Sequence, residues 1–242
     1  KTMKKADVKL IREDGKRSDG RSLDEPREIK AEVGIIPVAD GSAMFAFGNT
    51  IAIAAVYGPR SLLPKFLQED EKVTVRVRYN MAPFSTDSRK SPGMDRRSIE
   101  LSKVLRDAIE NSIFVNEYPR AALDCYAEII SGDGSTRITS LNAMSLALAA
   151  AGVSMKDLIV GLTAGKADGK IVIDLNQLED NYGEADVSFG YLFATDEIVL
   201  LQMDGNLTKE EFLEALKLLR EKAKIVYEKQ KQALREYFEK HD

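Results

Sequence analysis

The stretch LDCYAEIISGDGSTRITSLNAMSLALAAAG, residues 123–152, joins two apolar segments through a glycine-rich turn. Residues 123–130 are typical of a strand, and residues 137–151 are typical of a buried helix. The turn places Arg137 at the start of that helix, where backbone amides and the helix dipole attract an anion. The stretch therefore predicts both a strand-to-helix packing unit and a candidate anion site.

Further strands and helices extend this unit in both directions. Period-two patterns and turn residues predict strands at 27–36, 42–48, 50–58, 72–81, 157–165, 170–175, 185–194 and 197–204. Helical spacing predicts one helix around 99–109 and a long helix from Thr208, which opens a capping box. Because no low-complexity linker divides residues 1–242, we expect a single α+β domain, with halves of about 1–120 and 121–242.

Composition excludes several kinds of site. The chain has 242 residues with one cysteine, Cys125, and one histidine, His241, so an intrachain disulfide, a Ser-His-Asp triad and a His-rich zinc site are not expected. No apolar run approaches the roughly 18 residues of a membrane span, and the first residues lack the apolar core of a signal peptide. These features predict a cytoplasmic protein with no membrane partner, whose chemistry uses carboxylates, arginines, lysines and backbone amides, with a metal as a further candidate.

Positive charge is concentrated in one segment of an acidic chain. The net charge is −4, yet residues 72–97 hold seven basic residues opposed only by Asp87 and Asp95. The basic residues are Lys72, Arg76, Arg78, Arg89, Lys90, Arg96 and Arg97. This imbalance favours a confined anion site, with Arg96 and Arg97 at a helix start where a phosphate would explain them. Considered alone, the arginine pair is equally consistent with a surface salt-bridge face.

Negative charge is concentrated in DLNQLEDNYGEADVSFG, residues 174–190. It carries Asp174, Glu179, Asp180, Glu184 and Asp186 with no basic residue among them. A divalent cation would relieve their repulsion, and Mg²⁺ prefers one or two carboxylates together with substrate oxygens. For each of these acidic residues, the alternative is a position in a solvated acidic loop. For GDGSTR, the alternative is a plain strand-to-helix turn that binds no ligand. Taken together, the three segments predict phosphoryl transfer with water or phosphate as nucleophile.

Long ordered matches extend over nearly the whole chain. They include KLIREDGKRSDGR, VADGSAMF, AAVYGPR, RVRYNMAPFSTDSRKSPGMDRRSIELSKVLRDAI, GDGSTR and DLIVGLTAGKADGKIVIDLNQLEDNYGEADV. On these motifs the chain resembles the RNase PH family of phosphorolytic 3′→5′ exoribonucleases, and within it most closely the catalytic RNase PH-like subunits of the archaeal exosome. The resemblance implies an RNase PH-like fold of two βαβ-type halves, with mixed sheets packed against helices.

The resemblance also implies roles for individual residues. The turn Gly134, Ser135, Thr136 and Arg137 falls on the family's phosphate-binding turn, with inorganic phosphate as co-substrate. Asp180 and Asp186 fall on its catalytic aspartates, which hold Mg²⁺ or Mn²⁺, and Arg137 is catalytic with them. The RNA-binding positions are Arg96, Arg97 and Lys65, the last standing where relatives often carry a His-Pro-basic-His run.

The partners implied are single-stranded RNA 3′ ends and other subunits. A second, inactive RNase PH-like subunit would complete a hexameric ring, a trimer of heterodimers, beneath S1/KH-type cap proteins. Two other functions stay open. The turn sequence GDGSTR is nearer to that of a stand-alone homohexameric RNase PH that trims tRNA 3′ ends. The other is a non-catalytic ring subunit that only binds RNA.

Overall fold

A computed structural model describes residues 8–240, so His241 lies outside the described residues. The strands are β1 (Ile29–Val33), β2 (Gly41–Phe47), β3 (Thr50–Ser61), β4 (Thr74–Met81), β5 (Ala121–Ser131), β6 (Val160–Ala167), β7 (Lys170–Ile173), β8 (Ala185–Leu192) and β9 (Glu197–Gly205). The helices are α1 (Arg96–Ser112), α2 (Thr136–Ala150), α3 (Gln177–Tyr182) and α4 (Lys209–Glu239). None of these helices is long and apolar enough to cross a membrane.

The strands form two sheets, with orders β1-β2-β3-β5-β4 and β7-β6-β8-β9. Strands β4 and β5 are parallel and joined through α1, which makes a βαβ unit, whereas the other paired strands are antiparallel. The predicted α+β class is confirmed, with a difference in detail: only the first sheet is mixed, because every strand pairing in the second is antiparallel. Strand β5, placed by the sequence pattern in the second half, pairs within the first sheet.

Helix α2 lies between the two sheets and packs against strands of both. It is buried on nearly all sides, which agrees with a sequence of small and apolar residues that has no charged face. Its polar Asn142 is satisfied by the backbone of Gly161, at 2.8 and 2.9 Å, and by the Gln230 amide of α4. One continuous core surrounds α2 and includes Cys125, whose thiol pKa is raised by burial, as expected for a packed core thiol.

Most predicted elements are present with shifted ends. The Thr208 capping box is confirmed, because Thr208 accepts from the Glu211 amide and Glu211 accepts from the Thr208 amide. Strand β3 continues three residues beyond its predicted end, to Ser61. Helix α3 was not predicted, because its six residues are too few and too polar to show helical spacing.

The N-terminal segment, residues 8–27, folds back onto the C-terminal half. The amides of Leu10 and Ile11 both donate to the Asp168 carboxylate at 2.8 Å. The Arg17 side chain is fully buried, forms an ion pair with the equally buried Glu179, and donates to the Asp174 carbonyl at 2.8 Å. A buried arginine thus fastens this segment to α3.

Replacing Arg17 should destabilise the protein strongly. Arg17→Met keeps the apolar stem but leaves the Glu179 charge buried and unpaired, which costs about 3–5 kcal/mol of unfolding free energy. Urea unfolding monitored by circular dichroism measures this difference. The control Arg106→Ala removes a partly exposed ion pair on α1 and should cost no more than about 1 kcal/mol. Equal losses in the two variants would contradict the role given to Arg17.

Candidate active site

A cleft lies where the N-terminus of α2 meets strands β6 and β8 and helix α3. Its lining residues are Arg97, Ser135, Thr136, Arg137, Thr163, Leu175, Asp180, Asp186 and Ser188. Residues from the turn, the basic segment and the acidic segment therefore meet in one place, as the sequence predicted. Topology explains the meeting, because the loops that follow parallel strands β4 and β5 leave the same edge of the first sheet.

The turn before α2 is held by the protein around it. The Gly132 amide donates to the Ser85 carbonyl at 2.8 Å, and the Asp133 amide donates to the Thr50 hydroxyl at 3.0 Å. Gly134 has a φ of +74°, and a Cβ there would lie 2.6 Å from the Leu175 carbonyl oxygen. Glycine is therefore required at 134 by the neighbouring backbone.

The two hydroxyls of the turn differ in what they can offer an anion. Ser135 adopts left-handed backbone geometry, with a φ of +54°, and its hydroxyl donates to the Leu175 carbonyl at 2.9 Å. Thr136 accepts a hydrogen bond from the Tyr79 hydroxyl at 3.0 Å, which leaves its own proton free. Since Ser135 makes no side-chain cap, the first-turn amides of α2 are also free of an intrahelical partner.

Arg137 is a largely buried cation that lacks an ion-pair partner within the described part of the chain. One terminal nitrogen donates to the Ser188 hydroxyl at 2.9 Å, while its buried Nε has no hydrogen-bond partner. Burial lowers the pKa of Arg137, and the nearby Asp186 charge opposes that shift. An unpaired donor on a buried guanidinium is costly, so the site favours an incoming anion.

Asp180 and Asp186 both line this cleft. Burial raises the pKa of both carboxyls, and the Asp180 charge raises that of Asp186 further. The charges of Arg97 and Arg137 lower both pKa values but do not outweigh burial. Among residues 8–240, neither side chain has a hydrogen-bond or ion-pair partner, so their oxygens remain available to a ligand.

The other three acidic residues of segment 174–186 have basic partners elsewhere in the chain, which corrects the prediction of five unneutralised carboxylates. Asp174 forms a two-pronged ion pair with Arg27, Glu179 pairs with Arg17, and Glu184 lies 3.2 Å from the Lys166 ammonium. The partners lie far away in sequence, which is why the local pattern did not reveal them. Only Asp180 and Asp186 remain for chemistry.

Some basic residues of segment 72–97 also form ion pairs, whereas Arg97 lines the cleft. Ion pairs engage Lys72 with Glu69, Arg76 with Asp124 and Lys90 with Asp95. Arg97 lines the cleft, whereas Arg96 beside it is exposed and does not. Lys65 lies outside the cleft, in an exposed 3-10 turn, Lys65–Leu67. The RNA-binding roles of Arg96 and Lys65 stay predictions.

Residues 25–154 match domain 1, and residues 157–221 match domain 2, of the 3′ exoribonuclease family, RNase PH. The chain belongs to the RNase PH family. It is 54% identical over 231 residues to the exosome complex component Rrp41 of Thermococcus kodakarensis, covering 96% of this chain and 93% of that protein. It is 52% identical over 236 residues to Rrp41 of Pyrococcus furiosus, with 98% and 94% covered.

Two solved structures share the RNase PH-like fold. Rice Rrp46 superposes with a TM-score of 0.82 at 21% identity, covering 90% of this chain and all of that one. A chain of the Archaeoglobus fulgidus exosome with RNA bound to the active site superposes with a TM-score of 0.77 at 24% identity, covering 89% and 93%. The fold expected from the resemblance is therefore confirmed.

The carboxylates of this RNase PH family member suit a metal that also binds substrate. No group of three or more His, Cys, Asp or Glu side chains within residues 8–240 forms a metal site by itself. Two unpaired carboxylates that line one cleft beside a candidate anion site are the protein ligands that Mg²⁺ uses when substrate phosphates supply other oxygens. The residues present thus fit Mg²⁺ or Mn²⁺ held by Asp180 and Asp186.

Three further residues of the cleft were missed from the sequence. Ser188 follows Asp186 by two positions on β8, so strand periodicity alone would have placed both on one face. Thr163 is the register partner of Ser188 on β6, and this pairing has no local sequence signal. Leu175 contributes its backbone carbonyl to Ser135.

Replacing Asp186 should separate stability from activity. A folded-state pKa above the unfolded value means that ionisation disfavours the fold, so stability is lost as pH rises through the raised pKa. Asp186→Asn removes that charge and, in metal-free buffer at pH 7, should raise the unfolding temperature by about 2–4 °C, equivalent to ~1 kcal/mol. Turnover at saturating Mg²⁺ should nearly vanish in Asp186→Asn. Asp180→Asn should lose turnover to the same extent.

Calorimetry and a nuclease assay on the same preparations measure both effects. Asp87→Asn, at an exposed loop position, is the control and should leave the unfolding temperature unchanged. Near-wild-type turnover in either cleft variant would refute the assignment of these carboxylates to the metal.

Proposed function

We propose that this chain is the catalytic subunit of an archaeal exosome, a phosphate- and metal-dependent 3′→5′ exoribonuclease that releases nucleoside diphosphates. The observation that carries the proposal is the buried Arg137, with an unpartnered Nε, beside two unpaired aspartates at the start of α2. A cation and two carboxylates around a helix N-terminus suit two anionic reactants and a divalent cation. The relatives named exosome complex component Rrp41 support the same function.

The attacking phosphate would bind at the turn. Arg137 would offer its unpaired Nε, Thr136 its free hydroxyl proton and α2 its first amides. A phosphate oxygen attacks the phosphorus of the last phosphodiester, the bond from that phosphorus to the 3′ oxygen of the preceding nucleotide breaks, and that oxygen gains a proton. Run in reverse with nucleoside diphosphates, the same site extends RNA tails.

The carboxylates serve the other half of the reaction. A divalent cation bound by Asp180 and Asp186 supplies charge neutralisation for the phosphate oxygens. One of the two aspartates also handles the proton of the leaving 3′ oxygen. The positive charge of Arg97 lowers the pKa of both carboxyls, so Arg97 lies near them. Arg97 would bind the RNA backbone without reading bases, and Arg96 and Lys65 would add further phosphate contacts.

Two other functions receive less support. A stand-alone RNase PH is favoured by the turn sequence, but 51–54% identity with proteins named Rrp41, over most of both chains, favours the exosome. A non-catalytic RNA-binding subunit would not need Arg137, Asp180 and Asp186 together in one cleft.

Assembly with a second, inactive RNase PH-like subunit in a hexameric ring belongs to the same proposal, as do S1/KH-type caps. Strand β9 is a sheet edge and exposes Ile198, Leu201 and Met203, each about half exposed. Such an apolar edge suits contact with another protein chain. Strand β3 lies inside its sheet and can offer another chain only a face.

Cleavage should require inorganic phosphate, because the Arg137 Nε, the Thr136 hydroxyl and the first amides of α2 all offer donors to an anion. Internally labelled RNA is incubated with the assembled protein and Mg²⁺, with and without phosphate, and the products are separated by chromatography. We expect nucleoside diphosphates only when phosphate is present. Equal activity without phosphate, with monophosphates released, would exclude phosphorolysis.

Arg97→Ala should weaken RNA binding equally for all sequences. Losing one phosphate contact makes the dependence of log affinity on log salt shallower by about 0.7–1. Filter binding of several RNAs over a range of salt concentrations measures the slope. Arg106→Ala on the same helix is the control and should leave the salt slope unchanged. An unchanged slope in Arg97→Ala would assign Arg97 to another role.

Activity should depend on ring formation, because a ring gathers several copies of Lys65, Arg96 and Arg97 around one path. Gel filtration combined with the nuclease assay compares the chain alone and mixed with its RNase PH-like partner. We expect weak or no activity alone, and Leu201→Glu should block assembly without lowering the unfolding temperature. A fully active monomer would contradict the ring, and a fully active homohexamer would favour the stand-alone enzyme.

A further inference from the structure

Asp133 belongs to the phosphate-binding turn, yet its side chain does not line the cleft. Its Oδ1 accepts a hydrogen bond from the Gln177 amide at 3.0 Å, and its Oδ2 accepts one from the Asn49 amide group at 3.4 Å. Gln177 is the first residue of α3, the helix that carries Asp180. A side chain of the turn thus holds the start of the helix that presents a catalytic carboxylate.

The backbone of Asp133 is fixed just as firmly. Its amide donates to the Thr50 hydroxyl, and its carbonyl accepts from the buried Arg27 guanidinium. Its backbone cannot move without breaking these bonds, so the carboxylate is presented to Gln177 from a rigid support.

Helix α3 needs such support because it has only six residues. Isolated helices of this length are unstable in water, so contacts at the ends of α3 decide where Asp180 lies. Asn176 and Glu179 cap the helix from within, and Arg17 holds Glu179. These contacts fix α3 to the N-terminal segment, whereas the contact from Asp133 fixes it to the turn.

We propose that Asp133 is a positioning residue that sets the distance between Asp180 and the phosphate bound by the turn. This inference rests on the proposed function, which assigns the turn to phosphate and Asp180 to the metal. Phosphorolysis needs the phosphate and the metal at a fixed distance from each other, and a displacement of about 1 Å can cost on the order of 100-fold in rate. Asp133 acts through Gln177 and α3 and touches neither reactant.

Two variants at 133 and one elsewhere test this role in the assembled protein. Asp133→Ala removes the acceptor, and Asp133→Asn keeps an oxygen for the Gln177 amide while removing the charge. Thr208→Ala is the matched control, because it removes a side-chain cap of the same kind from α4, away from the cleft. For each protein, kcat and the KM for RNA are measured at saturating phosphate and Mg²⁺. The Kd for inorganic phosphate is measured by calorimetry without metal.

We expect Asp133→Ala to lower kcat by about 10–100-fold, with RNA KM and phosphate Kd changed less than about threefold. Asp133→Asn should retain kcat within about threefold, since the hydrogen bond survives, and Thr208→Ala should leave kcat unchanged. Unchanged kcat in Asp133→Ala, an equal loss in Asp133→Asn, or a parallel loss of phosphate affinity would each overturn the proposal. A wild-type protein inactive with phosphate would instead refute the proposed function.

Discussion

The buried ion pair between Arg27 and Asp174 is the interaction on which the site depends. Two guanidinium nitrogens of Arg27 meet the two carboxylate oxygens at 2.7 and 2.8 Å, and the Arg27 amide adds a third bond at 2.8 Å. The same guanidinium donates to the carbonyls of Asp133 and Leu175. One side chain therefore joins the N-terminal segment, the turn before α2 and the strand end before α3. A buried pair of this kind stabilises only when its remaining hydrogen-bonding positions are also filled, as they are here.

This network also determines which carboxylates can react. Five acidic residues crowd into thirteen positions, and three of them are neutralised by Arg27, Arg17 and Lys166. The two left over, Asp180 and Asp186, share a cleft with Arg137, itself without an ion pair. Three of the five acidic residues are thus paired internally, whereas Asp180, Asp186 and Arg137 are left without an ion-pair partner among residues 8–240. Keeping these three charges unpaired in one cleft costs stability, as expected where function opposes folding.

The sequence predicted the fold to the extent that its signals were local. Alternation along 72–81 and the Thr208 capping box are visible in a few neighbouring residues, and both are present in the structure. Helix α3 left no such signal, because tertiary contacts with Arg17 and Asp133 stabilise it more than its own six residues do. The resemblance to RNase PH proteins supplied the fold family that periodicity alone could not, but not the wholly antiparallel second sheet.

The candidate site also combines features visible in the local sequence with features that depend on tertiary contacts. An anion site at the turn and a metal site in the acidic segment were predictable from residue types, whereas the choice of Asp180 and Asp186 among five carboxylates came from the resemblance. The ion-pair partners of Asp174 and Glu179 could not be predicted, because Arg27 and Arg17 lie about 150 residues away in the chain. Ser188 could have been found from its spacing to Asp186, whereas Thr163 enters through a strand register that only the structure reveals.

Anomalous diffraction from crystals of the assembled protein, soaked in Mn²⁺ and inorganic phosphate, tests the division between structural and reactive charges most directly. The account predicts manganese bound by Asp180 and Asp186, with phosphate against Arg137 and the first turn of α2. Manganese at Asp174, Glu179 or Glu184, or phosphate bound away from Arg137, would contradict it.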